Sequence, residues 1–94
     1  LGRWKAALEA AEEAVAIYRE LAAAWPDTFR PGLAMSLSNV ARALDGSSRR
    51  GAALAAVEEA VAIRRELAEI NPDAFRPDLA LSLNNFAHML HNLE

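Results

Sequence analysis

The chain has 94 residues, a formal charge of −3 and 53% apolar against 24% charged residues, a balance that fits one small globular domain and excludes a disordered one. The acidic balance (pI ≈ 5.4) excludes the basic face that a nucleic-acid partner requires, and the lack of cysteine excludes disulfides and thiolate metal sites. No apolar run reaches membrane-spanning length and no signal-peptide pattern opens the chain, so no membrane partner is expected and a cytoplasmic location is the default.

Residues 3–24 read as a long helix. Leu8, Ala11, Val15, Tyr18 and Leu21 recur at three- and four-residue steps, with Ala7, Ala14 and Ile17 alongside, and make one wide stripe. Pro26 is expected to stop this helix, because proline lacks an N–H and restricts the residue before it. A shorter helix is predicted from Pro31, a favoured first-turn position, to about Ala43, burying Leu33, Leu37, Val40 and Leu44. Asp45-Gly46-Ser47-Ser48 reads as a turn. The pattern then returns: a long helix over 49–70 carrying Leu54, Val57, Val61, Ile63 and Leu67, a stop at Pro72, and a short helix from Pro77 to Leu90 burying Leu79, Leu83, Phe86 and Leu90.

That return is an internal repeat. Glu12-Glu13-Ala14-Val15-Ala16-Ile17 stands over Glu58-Glu59-Ala60-Val61-Ala62-Ile63 at an offset of 46 residues (58 − 12). Arg19-Glu20-Leu21-Ala22, Pro26-Asp27 and Phe29-Arg30-Pro31 return in the same register, ungapped, as Arg65-Glu66-Leu67-Ala68, Pro72-Asp73 and Phe75-Arg76-Pro77. The chain is therefore expected to be a single all-α domain over 1–94 made of two copies, 1–46 and 47–92. A repeat of this period favours tandem antiparallel helix pairs in an open stack of four helices over a closed four-helix bundle.

The residues that return resemble tetratricopeptide repeats, in particular the long variety of kinesin light chains and many bacterial signalling proteins. Asn39-Val40-Ala41 and Asn85-Phe86-Ala87 match that family's first-helix step, and Leu1-Gly2-Arg3-Trp4-Lys5-Ala6-Ala7-Leu8 followed by Ala14 matches its second helix. The period exceeds the roughly 34 residues of the common repeat, and Ser47-Ser48 with Gly51 depart from the family pattern at the junction. In family order the short helix comes first, so the chain reads as one complete unit over about 32–70 between two half-units, cut from a longer array. Leu93-Glu94 is uninformative: Leu93 keeps the register of Leu1, Glu94 does not, and Leu-Glu is also a common cloning remnant.

The resemblance implies a solenoid with a groove that takes an extended peptide or protein segment, and a scaffold with no catalytic activity and no cofactor. Carried over residue by residue, the groove positions are Met35, Ser38, Asn39 and Arg42 in one copy and Leu81, Asn84, Asn85 and His88 in the other. The asparagines can both donate to and accept from a peptide main chain, and Arg42 can meet a carboxylate; the alternative is that they bond neighbouring helices or water. Close packing between units is assigned to Ala7, Ala14, Ala41, Ala53, Ala60 and Ala87. In the family an aromatic at the place of Trp4 lies in the core, so Trp4 is expected to pack, and Trp25 to tuck under the turn at Pro26.

Other groups support less. His88 and His91 lie three apart, but no Cys, Asp or Glu on their face completes a metal shell. Glu12-Glu13 and Glu58-Glu59 point about a hundred degrees apart within each pair, so they are assigned to polar helix faces, with Glu12 and Glu58 reaching residues one turn away, rather than to acid–base catalysis. Arg49-Arg50 and Arg64-Arg65 are read as solvated clusters with local ion pairs. The two ends, with Leu8, Val15 and Leu21 on one and Leu83, Phe86 and Leu90 on the other, read as complementary halves of one interface, which makes a homo-oligomer through the terminal helices the second functional reading.

Overall fold

The computed structural model describes residues 3–46 and 49–93. Among them there are four α-helices and no strand: α1 (Arg3–Ala24), α2 (Pro26–Gly46), α3 (Arg50–Ile70) and α4 (Pro72–Leu93). The motif residues Leu1 and Gly2, the turn residues Ser47 and Ser48, and the terminal Glu94 lie outside the described residues, as does the side chain of Leu93.

The helices after each proline are not short. α2 has 21 residues and α4 has 22, matching the 22 and 21 of α1 and α3. Pro26 and Pro72 end one helix and open the next, since an N–H in a first turn has no intrahelical partner to lose. A single residue, Trp25 or Asn71, joins each pair; their N–H groups donate to Leu21 O (2.8 Å) and Leu67 O (2.9 Å). The Asn71 side chain also accepts from Ala74 N at 3.3 Å, satisfying a first-turn donor of α4. Pro31 and Pro77 therefore sit inside helices, close enough to the first turn that one missing bond is tolerated. Asp45 and Gly46 complete α2 rather than forming a turn.

Two apolar clusters fix the packing directions. Leu8 meets Val40 and Leu44, while Ala53 and Val57 meet the same end of α2 and Met89 closes the group. At the other end Ala22, Leu33, Ala34, Leu37, Ile63 and Leu67 pack together, with Tyr18 and Phe29 against them. Residues near the start of one helix thus touch residues near the end of the next, so successive helices run antiparallel. α1 packs along α2, α2 along α3 and α3 along α4, and α1 and α4 share no comparable seam. The molecule measures 40 × 29 × 16 Å, a row two helix layers thick at the usual interaxial distance of about 8–10 Å, where a closed bundle would be square in section.

An open row covers its inner helices on both sides and its outer helices on one. Leu33, Leu37, Val40 and Leu44 of α2 are buried as their spacing predicts. Their counterparts on α4 are not: Leu79, Leu83 and Phe86 are half-buried and Leu90 is exposed, with Met89 buried in its place. Trp4, expected to pack, is exposed, because α1 has a neighbour on one side only. Trp25 is also mostly exposed, touching Phe29 edge-on with ring centroids 6.4 Å apart.

Candidate functional site

α2 and α4 are the helices onto which the resemblance places the groove, and α3 packs against both. On α2, Met35 is exposed, and so are Asn39 and Arg42, one turn apart, with an Arg42 guanidinium nitrogen donating to Asn39 Oδ1. On α4, Leu81, Asn84 and His88 are exposed and Asn85 is half-buried. His88 Nε2 lies 3.3 Å from Asn92 Nδ2, and among the described residues no three side chains of the metal-ligating types come together.

Ser38 does not join this set. It is buried, and its hydroxyl donates to Ala34 O at 3.1 Å, one turn back on its own helix. It also faces a residue that sequence reasoning assigned to solvent. Arg64 of α3 reaches between α2 and α4 and donates from one nitrogen to Ser82 Oγ at 2.6 Å, to Asp78 O at 3.4 Å and, weakly, to Ser38 Oγ at 3.5 Å. Ser82 is completely buried, so this bond satisfies a hydroxyl that has no access to water. Burial pushes the Arg64 pKa down, the Asp78 carboxylate pulls it up, and the nearby Arg42 charge pushes it down again. The signal for Arg64 was present in the repeat: its counterpart is Tyr18, an expected stripe residue, so the position faces inward in both copies.

The small residues divide by place in the row. Ala41, Ala53 and Ala60 are buried on α2 and α3. Ala14 is half-buried, and Ala7 and Ala87 are exposed on the outer helices. Glu59, assigned to a polar helix face, bridges copies: Arg19 of α1 donates to both of its carboxylate oxygens at 2.6 and 2.8 Å. The hydrogen bond and the charge of Arg19 hold the Glu59 carboxyl below its usual pKa, against the opposing effect of partial burial. Arg30 of α2 pairs with Glu66 of α3 at 2.7 Å. Arg50 donates to Asn92 O at 3.2 Å, tying the start of α3 to the end of α4.

No helix among the described residues is long and apolar enough to cross a membrane. Residues 33–73, most of α2 and all of α3, match the family model described as tetratricopeptide repeat, which supports a tetratricopeptide-repeat fold for this segment. The match is to the family and does not single out the kinesin-light-chain variety. No curated protein and no solved structure matches the chain significantly. Members of the family generally mediate protein–protein interaction and generally serve as non-catalytic scaffolds.

Proposed function

We propose that this chain is a binding scaffold whose α2–α4 face captures an extended peptide segment bearing carboxylate groups. The observation that carries the reading is the exposed Arg42 bonded to Asn39 on α2, with Arg64 reaching between α2 and α4 to Ser38 and Ser82, beside exposed amides and apolar side chains. The Arg42 guanidinium is exposed, and a guanidinium fork matches a carboxylate in shape and charge. Asn39, Asn84 and Asn85 are suited to the alternating donors and acceptors of a peptide main chain, and Met35 and Leu81 offer adaptable apolar contact. His88 lies on the same helix face and would take a neighbouring side chain. Ser38 serves the site from beneath, through Arg64.

Selection from a displayed peptide library tests this reading. The wild-type chain should enrich acidic peptides. Capture should be lost in Arg42→Glu and weakened in Asn39→Ala/Asn85→Ala, with helical content unchanged in both. Selection without acidic bias, or equal capture by Arg42→Glu, would remove the reading.

A further inference from the structure

The seam between α2 and α3 is flanked by two ion pairs that cross it in the same sense. Arg19 on α1 and Arg30 on α2 supply the cations, and Glu59 and Glu66 on α3 supply the anions. The two glutamates are seven residues apart, two helical turns along one face. The 46-residue register repeats every one of these groups: Arg19 and Arg30 return as Arg65 and Arg76, and Glu59 and Glu66 answer to Glu13 and Glu20. Among the described residues, none of these four counterparts has an ion-pair partner.

The two arginines stand at one end of the row and the two glutamates at the other. Arg65 and Arg76 line an open groove of about 370 Å³ between α3 and α4, with Ala68, Glu69, Pro72 and Leu79. The corresponding place in the first copy is where α3 lays Glu59 and Glu66. The apolar surfaces repeat the same way. Ala34 and Ala41, buried under α3, correspond to Ala80 and Ala87, which are exposed on α4. Leu44 is 4% exposed and Leu90 is 41%. On the opposite face, Ile63 is 5% exposed in the seam and Ile17 on α1 is 49%. Each end therefore presents one half of the α2–α3 seam, matching in register and opposite in charge at the pairing positions.

We propose that α1 of a second copy of this chain docks on the α3–α4 end of the first, its Glu13 meeting Arg65 and its Glu20 meeting Arg76. The apolar half-seams supply the affinity and the direction, while the ion pairs set the register, because a helix slid by one turn would bring neither glutamate to an arginine. The contact joins two different surfaces, so each added copy leaves a fresh end and the assembly grows.

Sedimentation velocity over a concentration series tests this. The mass of the wild-type chain should rise with concentration and pass beyond the dimer. Arg65→Glu/Arg76→Glu and Glu13→Arg/Glu20→Arg should each remain monomeric over the same range, with helical circular dichroism unchanged and thermal unfolding matching that of the wild type at its lowest concentration. An equimolar mixture of the two should assemble again, since every junction then joins opposite charges. A wild-type chain that stays monomeric or stops at a dimer would overturn the proposal. So would a charge-reversed variant that assembles as the wild type does, or a mixture that fails to recover.

Discussion

The two helix pairs are built on one pattern, yet they close their seams with different chemistry. In the first, the Tyr18 ring lies against Gly32, so near that a Cβ on that glycine would come within 2.3 Å of it; Phe29 adds a tilted ring contact at 6.5 Å. In the second, the same two positions are Arg64 and Asp78. The guanidinium bonds to the Asp78 main chain and to the buried Ser82 hydroxyl where the ring would lie. The pair of positions has changed together, from a flat ring over a missing side chain to a cation beside an anion. A repeat in sequence thus fixes where helices go while leaving the chemistry of each seam free, and the second seam places a charge where a binding face can use it.

Place in the row adds a second difference. Truncating Leu37 on α2, buried between two neighbours, should cost about 2–5 kcal/mol in urea denaturation. Its half-buried counterpart Leu83 on α4 should cost about half of that or less, in line with the smaller apolar area removed from water. Equal losses would mean that the two pairs are buried alike and that the row is closed.

Arg64→Met should cost about 1–3 kcal/mol, since it strands the Ser82 hydroxyl in the seam, and adding Ser82→Ala should recover part of the loss. A neutral Arg64→Met would leave the first and second seams energetically alike.

The glycine is tested by a change of sign. Gly32→Ala should destabilise the wild type, because overpacking of about 1–3 kcal/mol exceeds the gain of about 1 kcal/mol in helix propensity. In a Tyr18→Ala background the same substitution should stabilise. Stabilisation in both backgrounds would show that the ring does not depend on the glycine.

The smallest effect comes from the bridge between copies. The Glu59 carboxyl has a lowered pKa in the folded chain, so its contribution is present above the ordinary glutamate value and is lost as pH falls through that range to the folded value. Both partners are substantially exposed, so Glu59→Gln should cost about 0.2–1 kcal/mol at pH 7. Thermal unfolding of the variant and the wild type should converge on acidification below about pH 4.3; a difference that persists in acid would assign the effect to packing.

The helix starts of α1 and α3 and the inner core of α2 were legible in the sequence, because periodicity and burial coincide where a helix is covered on both sides. The starts of α2 and α4 were not. Pro31 and Pro77 looked like openings, but Pro26 and Pro72 already occupy first-turn positions, and a second proline near the start of a helix costs too little to mark a boundary. Leu90 and Trp4 misled for another reason: a stripe position predicts burial only if a neighbouring helix exists to cover it. Of the candidate face, the exposed positions Met35, Asn39, Arg42, Leu81 and His88 were readable from register. The inward facing of Arg64 was readable from Tyr18 one repeat earlier, but its bonds to Ser82 and Ser38 were not, since they join residues far apart in the chain.

The open row is the claim on which the rest depends, and native-state hydrogen exchange on the monomeric chain tests it most directly. The amides of α2 and α3 should be the most protected, with α1 and α4 exchanging first and independently of one another. Equal protection of all four helices, or joint opening of α1 with α4, would contradict it.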